Sequence, residues 1–156
     1  MKITKAEISN IYVVLRRLAP KDFTTMQDME GVRDVYKAIK KSCPEFITAR
    51  DYADAIQGNA NAIIEAKKKE LEGKDEDGQK LRKFANELKA KVDKDISKDD
   101  KAKLELYGKE QGEEIEAKLT KEQAELAIRF LEGPCKDSFL SVDGLLDSID
   151  FLKSFK

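Results

Sequence analysis

Apolar residues at helical spacing account for most of this chain. Ile8, Ile11, Leu15 and Leu18 recur every three or four positions, with Tyr12 beside them. Thr4 and Glu7 precede them as a T-x-x-E capping box, and Pro20 predicts the end of this first helix. Val32, Val35, Tyr36 and Ile39 define a second helix, stopped before Pro44. Thr48 with Asp51 predicts the start of a third, whose stripe is Tyr52, Ile56, Ala60, Ile63 and Ile64 and whose polar end is "AKKKELEG". Leu81, Phe84, Leu88 and Val92 predict a fourth at near-heptad spacing. The third and fourth helices are expected to form a long antiparallel hairpin with Phe84 in its seam.

The period changes after the charged break "DKDISKDDKAK". Leu104 and Leu106 alternate with polar residues, as do Ile115, Ala117 and Leu119, and "GKEQG" lies between the two runs. Alternation predicts a small β-hairpin at 103–119. Helix is the competing reading there, because Glu, Lys, Leu and Ala are good helix formers. Thr120 and Gln123 form a second capping box, followed by Ala124, Ala127, Phe130 and Leu131 and a Gly133-Pro134 stop. Ser141 caps a last helix carrying Leu145, Leu146, Ile149, Leu152 and Phe155. The expected fold class is mainly α: an irregular helical bundle built on the long hairpin, in a single helical domain over 1–156.

The link within that hairpin, "LEGKDEDGQKLRKF", has the look of a calcium loop. An EF-hand loop needs oxygen ligands at positions 1, 3 and 5, glycine at 6 and a bidentate Glu at 12. With Gly78 at position 6, Asp75 and Asp77 fit, but position 1 is Gly73 and position 12 is Phe84. Two ligands are too few for a cation that takes several oxygens. A solvated turn is the reading adopted, with Gly73 and Gly78 supplying positive φ.

Composition narrows the function. Charged residues make up 39% of the chain, which long solvated helices explain. The net charge is −1, split as +4 over residues 1–50 and −5 over the rest. No global field therefore points to nucleic acid or membrane. There is no histidine, which removes the commonest general base and most zinc sites. Cys43 and Cys135 are isolated thiols, expected to be small buried side chains. No apolar run has the length of a membrane span, and "MKITKAEISN" lacks a signal-peptide apolar region, so an intracellular, cytoplasmic site is expected. No catalytic, cofactor-binding or metal-binding set emerges, and no cofactor is expected. The densest cations outside the hairpin are Arg16, Arg17, Lys40 and Lys41. They are the candidate polyanion-binding residues, although cations near helix C-termini also suit the helix dipole.

Three segments carry a resemblance. "KKKELEGKDEDGQKLRKFANELKAKVDKDI" and "EAKLTKEQAELAIRFLEG", with the opening "AEISNIYVVLRRLA", resemble a family of small helical phage proteins encoded among tail and structural genes. These stretches cover less than half of the chain, and "CPEFITARDYADA" and the tail after Pro134 lie outside the likeness. The resemblance implies a phage origin, a place in the host cell cytoplasm and a non-enzymatic role, and it supplies no catalytic residues. The expected function is therefore protein–protein interaction, with a phage structural protein or a host protein as partner. The alternative is nucleic-acid binding through the basic N-terminal third. A carboxylate-metal enzyme is a third class.

Overall fold

The computed structural model describes residues 2–156. Among them are seven α-helices and one pair of short strands: β1 (Ile3–Thr4), α1 (Lys5–Arg16), α2 (Met26–Ser42), α3 (Pro44–Glu70), α4 (Gln79–Asp95), α5 (Lys98–Glu110), β2 (Glu114–Ile115), α6 (Lys121–Glu132) and α7 (Val142–Lys153). Short 3-10 turns lie at Pro20–Asp22 and Lys136–Ser138. The chain is mainly α, as its periodicity predicts. It divides into two compact units: Met1–Ile47 with Lys109–Lys156, and Thr48–Gly108.

The first unit holds a closed ring of helix contacts, α1 on α2, α2 on α6, α6 on α7 and α7 back on α1. Each helix contributes the stripe its sequence marks. Ile8, Ile11, Tyr12 and Leu15 are buried on α1, and Val32, Val35 and Ile39 on α2. Ala124, Ala127, Phe130 and Leu131 are buried on α6, and Ile149, Phe151 and Leu152 on α7. Small residues let α2 and α6 approach closely: a Cβ on Gly31 would stand 2.5 Å from Leu126 Cδ2. Both capping boxes form as expected, Thr4 with Glu7 and Thr120 with Gln123. The two buried polar side chains are satisfied within their own helices. Ser9 donates to the Ala6 carbonyl and Ser148 to that of Gly144, each at 2.8 Å.

The strand pair is antiparallel, with Ile3 opposite Ile115 and Thr4 opposite Glu114. One strand falls within the predicted stretch 103–119, but its partner is the N-terminal segment. Leu104 and Leu106 are not in a strand: residues 98–110 are α5. The helix-forming composition prevails there, and Ser97 supplies a cap by accepting the Asp100 amide at 3.2 Å. The Glu113 carbonyl accepts the Lys5 amide at 2.8 Å, and the Lys5 ammonium reaches Glu110 and Glu113 at 2.7 and 2.9 Å. These bonds tie the start of α1 to the end of α5.

Helix boundaries shift in two places from the sequence expectation. α1 ends at Arg16, before the Pro20 turn, and α3 begins at Pro44 rather than at Thr48. Proline has no N–H to lose at the first helical position, so it starts a helix as readily as it ends one.

The second unit contains most of α3, all of α4 and most of α5. Its buried core is slight. Among its residues only Ala49 is fully buried, and α4 buries no residue. Phe84, expected in a seam, is half-buried with the Lys67 ammonium 5.3 Å from its ring centre. Tyr52 is similarly placed, with Lys103 5.4 Å from its ring centre. The bundle's core thus lies in α1, α2, α6, α7 and the first turn of α3, where Phe46 and Ile47 are buried, and not along the rest of α3 and α4.

Candidate interaction surface

Between α1 and α2 runs a groove of about 290 Å³. Its formation follows from the connector. Asp22 accepts the Ala19 amide at 2.8 Å, closing the Pro20 turn, and Thr25 accepts the Asp28 amide at 3.1 Å, starting α2. Between those two bonds, Phe23 packs on Phe130 of α6 with ring centres 5.0 Å apart. Phe23, Leu15, Leu18, Met29, Val32 and Tyr36 give the groove an apolar lining. Arg16, Met26, Glu30 and Arg33 add its polar and flexible edge.

Two contacts fix the Arg16 end. Tyr12 and Tyr36 meet edge to face, ring centres 5.9 Å apart. Arg16 donates to the Tyr12 hydroxyl at 3.1 Å and lies 5.7 Å from the centre of the same ring. The guanidinium is thereby oriented without being buried. Met26, which lines the same groove, is 67% exposed. An exposed methionine at the mouth of an apolar groove costs hydration free energy and adapts to many shapes. Aromatic residues, methionine and arginine are the types enriched where proteins meet. The groove's chemistry is recognition: it offers apolar area and two cations, and Glu30 is its single carboxylate.

The four predicted polyanion-binding residues are all exposed, and the fold does not gather them. Arg16 and Arg17 close α1, whereas Lys40 and Lys41 close α2. Leu15 and Arg16 at the end of α1 line one groove with Met26 and Met29 at the start of α2, so the two helices run antiparallel. The Arg pair and the Lys pair therefore lie at opposite ends of the helix pair. Lys41 borders a separate recess with Glu116 and Lys118. Arg33 joins Arg16 instead, and periodicity alone overlooks it. A signal was present: Met26, Met29, Arg33 and Tyr36 form a second stripe on α2 beside the Val32, Val35, Ile39 stripe.

The acidic stretch at 71–78 forms a glycine turn. Gly73 and Gly78 adopt φ of 77° and 71°, as the turn reading requires. The Asp75 carboxylate accepts the amides of Lys80 and Leu81, each at 3.1 Å, and so caps α4. Asp77 accepts the Gln79 amide at 3.2 Å. Both acids spend oxygens on the helix start.

Both thiols are buried. Burial pushes the Cys43 thiol above its ordinary pKa, with the Lys5 charge opposing. Burial, helped by the Asp22 charge, pushes Cys135 up to about 11. Thiols so raised carry almost no thiolate at neutral pH and make poor nucleophiles. Among the described residues, no helix is long and apolar enough to cross a membrane.

The sequence matches no protein-family model, and neither a curated protein nor a solved structure matches it.

Proposed function

We propose that the chain is a non-enzymatic protein–protein interaction module that recognises its partner through the α1–α2 groove. The observation that carries this reading is the exposed Met26 at the edge of an apolar groove flanked by Arg16 and Arg33. Met26 is continuous with the apolar lining of Phe23, Met29 and Tyr36, and a partner surface would remove that patch from water. The resemblance to small phage proteins supports a phage structural protein, with a role in virion or tail assembly, or a host protein that the chain inhibits. It also supports a site of action in the host cell cytoplasm. Separation of the Arg and Lys pairs to opposite helix ends argues against the nucleic-acid alternative, since phosphate binding wants cations along one track.

Two measurements test the proposal. Tagged protein expressed in its native cell should co-purify with a protein partner, and Met26→Glu should remove that partner while leaving the melting temperature unchanged. Short duplex and single-stranded oligonucleotides should show no shift at physiological salt. A submicromolar, salt-sensitive shift lost on reversing Arg16, Arg17, Lys40 and Lys41 to Glu would overturn the reading in favour of nucleic acid.

A further inference from the structure

Exposed large apolar side chains are few here, and their placement is uneven. Among the described residues they are Met26, Ile63, Leu140, Val142 and Leu146. Met26 belongs to the groove. Leu140, Val142 and Leu146 fall together in the short stretch where the chain enters α7. Val142 is 73% and Leu146 is 51% exposed, and they lie one helical turn apart on the same face. Their helical neighbours Asp143 and Asp147 are exposed too. Ser148, Ile149, Phe151 and Leu152 occupy the inward face of α7, Val142 and Leu146 form an exposed apolar edge beside Ile149, and Asp143, Asp147, Asp150 and Lys153 are exposed beyond that edge.

The groove has the converse character. Phe23, Met26, Met29 and Tyr36 offer apolar area, and Arg16 and Arg33 stand at its edge. None of residues 139–147 lines the groove. We infer that the outward face of α7 in one copy, led by Leu140, Val142 and Leu146, docks in the α1–α2 groove of a second copy. Asp143 and Asp147 then face Arg16 and Arg33. This inference rests on the groove being an interaction surface and names its occupant.

Two properties favour a second copy of the chain over an unrelated protein. The patches match in kind: a convex apolar helix face meets an apolar groove, which is the helix-in-groove mode of recognition. They also match in net sign, since Asp143, Asp147 and Asp150 outnumber Lys153 on α7 and Arg16 and Arg33 outnumber Glu30 at the groove, and such complementarity fixes register and speeds encounter. Because the two patches are different surfaces of the same unit, the contact is heterologous. A copy whose groove is filled still offers its own α7 face, so the contact either closes into a ring or extends head to tail.

Charge exchange on the full chain, followed by sedimentation velocity over a range of concentrations, tests the inference. The unaltered chain should sediment faster as concentration rises, and added salt should weaken the association. One variant carries Arg16→Glu and Arg33→Glu, so that its groove repels its own α7. The other carries Asp143→Lys and Asp147→Lys, with the same result. Each alone should remain monomeric. An equimolar mixture should associate again, because each reversed surface then finds its complement. Arg33→Glu alone, which leaves the Arg16–Tyr12 contact in place, should weaken association at least tenfold. Circular dichroism and thermal melting show whether each variant is folded, and Met26→Glu gives a second break of the groove at an exposed site. A monomer at every attainable concentration overturns the inference. Association that survives reversal of the groove, or a mixture that fails to associate, also overturns it. If the chain is monomeric while Met26→Glu still removes a co-purifying protein, self-docking fails and the interaction reading stands.

Discussion

The two units spend similar helical patterns to different ends. In the first, the stripes of α1, α2, α6 and α7 find one another and shut out water. In the second, the stripes of α3 and α4 are just as regular, yet Ile56, Ile64, Leu81, Phe84 and Leu88 stay half-buried. The difference lies in how many directions each stripe can bury. α1 is covered broadly enough to hide Ile8, Ile11, Tyr12, Val13, Val14 and Leu15 together. α4, with Arg82, Lys83, Glu87 and Lys89 around its circumference, has one narrow apolar strip. Periodicity reports that a helix has an apolar side. Whether that side is sealed depends on neighbours that the period does not name.

Cutting the chain at the unit boundary tests this contrast most severely. Residues 1–47 joined to 109–156 by a short Gly-Ser linker should retain a cooperative thermal transition. Residues 48–108 alone should lose most of their helical circular dichroism, since a unit this small with so slight a core cannot offset its ordering entropy. A cooperative transition in that fragment would show that the second unit is self-sufficient.

A matched pair of aromatic truncations comes next. Phe46 is fully buried in the first unit, and Phe46→Ala should cost about 3–5 kcal/mol. Phe84→Ala should cost only about 1–2 kcal/mol, because the ring is half-buried and its cation partner is worth little at a wet site. Equal losses in denaturant titrations would erase the distinction between the units.

The smallest expected effect is electrostatic. The hydrogen bond to Glu110, reinforced by Glu113 and opposed by desolvation, raises the Lys5 pKa above its ordinary 10.5. Its contribution is therefore complete below pH 10.5 and fades as pH rises through the raised folded value. Hydrogen bonding from Lys5 lowers the Glu113 pKa below its ordinary 4.5, so that contribution is present above pH 4.5 and fades as pH falls through the lowered value. Stability of Lys5→Met should lack the alkaline slope and show a weaker acid slope, because Glu110 and Lys109 still act on Glu113; a pH profile identical to that of the unaltered chain would remove this triad from the account.

Much of the architecture is legible along the chain because it is written locally. The Thr4–Glu7 and Thr120–Gln123 boxes, the Gly73 and Gly78 turn and the stripes of α1, α2 and α6 all depend on residues a few positions apart. The strand pair is not local: Ile3 meets Ile115, and nothing in "KIT" announces so distant a partner. Alternation at 104–106 misleads because Leu-Glu-Leu suits a helix equally well, and the Ser97–Asp100 cap that settles it sits inside a stretch dismissed as a charged break. The groove is legible only in part. Arg16 stands out as half of a basic pair, but its association with Arg33 and Met26 requires knowing which faces of α1 and α2 meet.

The first unit is discontinuous, interrupted between Ile47 and Lys109. On a ribosome this becomes a matter of time. At about 5–20 residues per second, α1 and α2 wait several seconds while the intervening helices are made, before α6 and α7 exist to cover them. During that interval the face of α2 that α6 will later cover is bare. Nascent chains on neighbouring ribosomes could exchange α6 and α7 at that stage, so slowing translation through 48–108 should lower the yield of folded protein, and a chaperone that holds apolar helices should restore it.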